Sequence, residues 1–304
     1  MSCHESMGRQ IGQTWQVPMM RRLIWALLGC LLAGLQGVHA QSVGHLEVVR
    51  AVPFPPDWRL GYVRDLEWDG STLWVAENRA SVVHQFDPAT NTILRTEVAP
   101  ASNPWGLTLV GQRLFLAAPE LFPPPPYTGF GRLYTLEAPG TWLLRGEAPG
   151  NPNSQPHGCA FDARLGLVWV SEAAAARIYA VQPDNGVPMF SIPAPSADTR
   201  GLAIAYDTLW AIDHTHLSLV QLARSGVVLA TYDISHLGAE PEGLAFDGAT
   251  FWISENATDN LYQVRVQTFS VAEVPALGPL GLIALTVILA AVAALRIARS
   301  ASRA

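Results

Sequence analysis

His157 and Glu172 could move protons together, since an imidazole titrates near neutral pH and a carboxylate can orient it. Arg64 and Arg200 offer planar forks suited to carboxylate or phosphate groups, and Trp105 adds an indole. Glu77, Asp213, Glu242 and Glu255 supply carboxylates for ligand hydroxyls or, with Asn78 and Asn256, for a calcium ion. Asp213-His214-Thr215-His216 could present two imidazoles to a transition metal. Each residue also has a plainer use, because acids in turns cap backbone N–H groups or pair with arginines. No loop has the dense acid spacing of a calcium motif. The expectation is therefore no cofactor, with calcium as the alternative.

These side chains act together only if the fold gathers them, and an internal repeat supplies the means. Each copy has a Gly or Asp, an alternating apolar strand, a tight turn, and a second strand carrying an aromatic. The copies begin at Asp65, Gly106, Gly158, Gly201 and Gly243, and Trp74, Phe115, Trp169, Trp210 and Trp252 mark their second strands. A period in the forties with this pattern predicts β-propeller blades. Third strands follow, as at Val83 to Asp87 and Arg177 to Val181, and outer strands at Ile93 to Val98 and Val227 to Tyr232. The fifth copy lacks a clear outer strand, whereas Leu46 to Val52 is a β-rich stretch standing before the first copy. The expectation is an all-β propeller of five four-stranded blades, six being the alternative, closed by this N-terminal strand.

Lines such as Pro156-His157-Gly158-Cys159-Ala160-Phe161-Asp162 and Pro241-Glu242-Gly243-Leu244-Ala245-Phe246-Asp247-Gly248 resemble the NHL, YVTN and streptogramin-lyase-like propellers. In blades of this type the inner strand begins, and the second strand ends, on one face of the disc. Arg64, Trp105, His157, Arg200 and Glu242 would then ring a funnel with Glu77, Ala118, Glu172, Asp213 and Glu255. Streptogramin-type lyases use a histidine and a glutamate on this face, so the resemblance implies a lyase or hydrolase role for His157 and Glu172. Blade number and the full residue set differ. The funnel equally suits a binding module for a small polar ligand, a glycan or another protein. Blade two carries an insertion, Pro119 to Gly131, whose four consecutive prolines favour a stiff extended segment.

The two ends carry address information. Met20-Arg21-Arg22, an apolar run from Leu23 to Leu35 and Val38-His39-Ala40 have the layout of a signal peptide over residues 1–40, with a mis-assigned start before Met20 as an option. The propeller then spans 41–267 and a linker 268–275. The segment 276–304 is an apolar transmembrane tail ending in Arg296, Arg299 and Arg303, an order that places the body outside the cytoplasm. Val274-Pro275-Ala276-Leu277, followed by the apolar helix and arginines, resembles the sorting signals of exosortase substrates, notably those beginning Ile-Pro-Thr-Leu. That resemblance implies an exosortase-type protease as partner and a place in the cell envelope. Over residues 41 to 275, 13 arginines against 24 acids leave a net charge of −11, which argues against nucleic acid as a partner. Cys159 is the only cysteine there, so the core must hold itself together without an internal disulfide.

Overall fold

The structure, a computed structural model, describes residues 42–43, 45–58, 62–119, 131–150 and 155–267. The signal peptide, the blade-two insertion from residue 120 to 130, the linker and the sorting tail lie outside the described residues. Among those described, no helix is long and apolar enough to cross a membrane.

The N-terminal segment forms β1 (Ser42–Val43) and β2 (His45–Pro53). Blade one comprises β3 (Val63–Trp68), β4 (Leu73–Glu77), β5 (Val82–Asp87) and β6 (Thr92–Val98), and blade two β7 (Gly106–Val110), β8 (Arg113–Ala118), β9 (Arg132–Ala138) and β10 (Thr141–Glu147). Blade three contains β11 (Pro156–Asp162), β12 (Leu167–Glu172), β13 (Arg177–Val181) and β14 (Pro188–Pro193). Blade four contains β15 (Thr199–Ala205), β16 (Thr208–Asp213), β17 (Ser218–Leu222) and β18 (Val228–Asp233). Blade five contains β19 (Pro241–Phe246), β20 (Phe251–Glu255) and β21 (Asn260–Gln267). Its outer strand is β2, which runs antiparallel to β21 with Leu46 opposite Val266 and Val52 opposite Leu261. The ring thus closes with five blades, through the N-terminal strand. One feature exceeds expectation: β1 adds in parallel to the outer strand of blade four, with Ser42 opposite Ala230, so that blade has five strands.

Burial grades outward through each blade. Second strands are sandwiched between neighbouring blades, and so they are apolar on both faces: every residue of β4 and β20 is buried, whereas in β6 every other residue is exposed. The equivalent aromatics Trp74, Phe115, Trp169, Trp210 and Trp252 fill the gaps between blades and are at most 7% exposed. The tight turn after the inner strand is held by an acid. Asp69 and Asp247 each accept bonds from two backbone N–H groups and a threonine hydroxyl, and Asp247 also accepts the Trp252 indole N–H at 3.0 Å. Blades two and four lack this acid and turn instead through left-handed residues, Gly111 in blade two and Tyr206 with Asp207 in blade four.

The axis explains the residue that begins each copy. A β-carbon at Gly201 would lie 2.5 Å from Leu244 N, and one at Gly243 would lie 2.7 Å from Asp65 Cα, so the inner strands approach closely only because these positions lack side chains. The fifth position is Asp65, fully buried. Its carboxyl accepts N–H bonds from Leu107 at 2.8 Å, Cys159 at 3.0 Å and Leu244 at 3.4 Å, and so ties blades two, three and five to blade one. Burial pushes its pKa well above the usual carboxylate value.

Candidate functional site

Arg64, His157, Arg200 and Glu242, each the second residue of its inner strand, and Trp105, just before β7, are linked by a chain of contacts. Glu242 lies at the centre. Its Oε1 accepts from Arg64 Nη1 at 2.8 Å and also from Arg200 Nη1. Arg200 is further clamped by Asp198, with Nε to Oδ1 at 2.9 Å and Nη2 to Oδ2 at 3.0 Å, so all three of its nitrogens are engaged. The Arg64 guanidinium carbon lies 5.1 Å from the Tyr62 ring centroid and 5.2 Å from that of Trp105. His157 in turn meets Trp105 with ring centroids 4.5 Å apart. Tyr62, Arg64, Arg200, His214, Glu240 and Glu242 line a cavity of about 230 Å³.

Desolvation dominates the electrostatics. Burial raises the Glu242 carboxyl to about 7 despite the two guanidiniums, which pull the other way. Burial, reinforced by the Arg200 charge, lowers His157 to about 3, so its imidazole is neutral at physiological pH. A base this weak is poorly matched to proton abstraction near pH 7.

The residues that close the second strands behave differently. Glu172 Oε1 accepts the backbone N–H groups of Gln155 at 2.9 Å and Ala174 at 3.1 Å, and Oε2 that of Ala175 at 2.7 Å. Glu77 likewise holds Arg79 N and Ala80 N, while Glu255 holds Glu240 N and Thr258 N. Asp213 accepts His216 N and faces the His216 imidazole at 2.7 Å. These four acids are buried turn caps. Among the described residues no hydrogen bond joins His157 to Glu172, and no three metal-ligating side chains gather. Asn256, considered as a calcium ligand, instead spans the seam of the ring, accepting from Val63 N at 3.1 Å and donating to Val63 O at 3.2 Å. In the His214-Thr215-His216 segment the imidazoles part company: His214 faces Pro241 O and His216 faces Asp213.

Sequence reasoning missed Tyr62, Asp198, Glu240 and His214 as members of the site. A signal was present, because Tyr62, Asp198 and Glu240 each stand two positions before a ring residue, on the same face of the strand entry. The Ala118 position contributes no polar group.

Fold and pocket together define a five-bladed β-propeller with one polar, ion-paired funnel. No family model and no curated protein matches the chain. Among solved structures it is similar to a glutaminyl cyclase from Myxococcus xanthus, at 13% identity over 75% of this chain and 98% of that one, with a TM-score of 0.60. It is also similar to a PQQ-bound aldose sugar dehydrogenase from Streptomyces coelicolor, at 12% identity over 74% of this chain and 99% of that one, with a TM-score of 0.52. A virginiamycin B lyase from Staphylococcus aureus matches at 19% identity over 69% of this chain and 67% of that one, with a TM-score of 0.44. At these identities the likeness is one of propeller fold.

Proposed function

We propose that the protein is an exported, non-catalytic propeller of the cell envelope that binds a ligand in the funnel. The observation that carries this reading is the arrangement of Arg64, Arg200 and Glu242 under Trp105 and Tyr62, a partly enclosed pocket with convergent polar groups. The proton-transfer alternative loses its support, since Glu172 is occupied by three backbone donors and His157 is a weak base. The reading needs no cofactor. Export rests on the residue pattern before Gln41, and sorting by an exosortase-type protease rests on Val274-Pro275-Ala276-Leu277 with the apolar, arginine-tipped tail.

A thermal-shift screen of chemically diverse small molecules, run on envelope-extracted protein with and without calcium, tests the binding reading. A stabilising ligand whose effect vanishes in Glu242→Ala is expected. Turnover of a bound compound that depends on His157 would defeat the non-catalytic assignment. Mass spectrometry of the mature protein tests sorting: loss of the residues after the Val274 motif is expected, and an intact tail would restore a plain membrane anchor.

A further inference from the structure

The funnel's hydrogen-bonding balance narrows the chemistry of what it holds, on the footing that the funnel is the binding site. Its fixed charges nearly cancel, with no cationic excess. Two guanidiniums face three carboxylates, those of Asp198, Glu240 and Glu242, and each nitrogen of Arg200 already gives one N–H to Asp198 or Glu242. A carboxylate or phosphate ligand could reach the remaining N–H groups of Arg64 only beside these carboxylates, and an ammonium would meet both arginines. Three polar atoms, each closed to solvent, nevertheless remain without partners: Arg64 Nε, a donor, and Glu242 Oε2, an acceptor, on residues that line the cavity, and Trp105 Nε1, a donor, on the ring beside Arg64. Glu242 is only 2% exposed, so leaving that oxygen unmatched is costly. Covalent geometry keeps the three close, because Oε2 belongs to the carboxylate that Arg64 already grips and the Arg64 fork lies over the Trp105 ring. A hydroxyl both donates and accepts, so it answers this mixed set without adding charge. At the rim, Tyr62 is 48% exposed and presents apolar ring surface suited to the C–H face of a sugar.

We propose that the funnel takes a neutral polyhydroxylated ligand, a single sugar ring of a glycan, with hydroxyls accepting from Trp105 Nε1–H and Arg64 Nε–H and donating to Glu242 Oε2. The 230 Å³ cavity suits one ring and not a longer chain laid flat.

Isothermal titration of the full-length protein in detergent tests this with two groups of probes: neutral sugars (glucose, N-acetylglucosamine, maltose and cellobiose) and charged sugars (glucuronate, glucose 6-phosphate and glucosamine). Saturable binding of a neutral sugar is expected, weakened about tenfold in Tyr62→Ala and in Trp105→Phe, the latter keeping a ring while removing the N–H. Preference for a charged sugar overturns the neutral assignment and leaves the funnel a binding site. Failure of all the sugars, with a hit from the broader screen that depends on Glu242, also overturns it while sparing the binding reading. If neither set yields a funnel ligand, both fall. Circular dichroism melts of the two variants separate lost binding from lost folding.

Discussion

Two carboxyls, Glu67 near the axis and Glu242 in the funnel, are raised by burial from the ordinary glutamate value to about 7. An acid whose folded-state pKa is raised adds stability below its unfolded pKa, and that contribution is lost as pH climbs through the folded value. Stability should therefore decline between about pH 4.5 and 7. A shift of this size corresponds to about 3 kcal/mol per group. Glu67 accepts from Thr108 Oγ1 at 2.6 Å and Trp68 N at 3.1 Å, and Glu67→Gln should flatten much of the slope in urea titrations run across that range. An unchanged slope would show that the side chain does not titrate there. For Glu172 the expected outcome is different in kind. Glu172→Ala frees three backbone N–H groups at a blade turn and should cost about 2–3 kcal/mol of stability, measured by the same titration, without altering sugar affinity.

At the scale of strands and turns, the glycines divide into two groups with different costs. A β-carbon at Gly158 meets the backbone of the next inner strand, 2.8 Å from Gly201 Cα, whereas at Gly166, in a turn with φ of 67°, it meets nothing. Gly166→Ala should cost about 1 kcal/mol from the left-handed backbone alone. Gly158→Ala should cost well over 3 kcal/mol or abolish folding, as judged by the yield of soluble protein and its melting curve. Strand order, turns and closure were legible beforehand because second strands such as Leu73-Trp74-Val75-Ala76-Glu77 carry period, aromatic and boundary in a few residues. The funnel was legible in half. Arg64, Arg200 and Glu242 share one cavity, with Trp105 beside Arg64 and His157 against Trp105, but the closing acids were offered as ligands when their partners are backbone N–H groups, which leave no trace in residue identity. Asp65 showed only as a variant of the starting glycine. Its contacts reach three other blades, and nothing local records them.

Over the whole ring, the N-terminal segment fastens two blades, with β1 on blade four and β2 on blade five. Removing residues 42–53 should uncover the β21 edge and strip Val52 from the core shared with Val63, Trp252 and Leu261. The expected result is concentration-dependent self-association by light scattering and a broadened unfolding transition; a monomer with a sharp transition would mean that the seam holds without its strap. The axial carboxyl has a consequence for copying the fold. Five identical blades taken from the first copy would crowd five carboxyls onto one line and repel each other, while five taken from the last would leave the centre lined with amides and no acceptor among them. A symmetric designer's ring built from this chain would therefore need one blade kept different from its siblings, so the molecule's smallest indivisible unit is the odd blade together with its four companions.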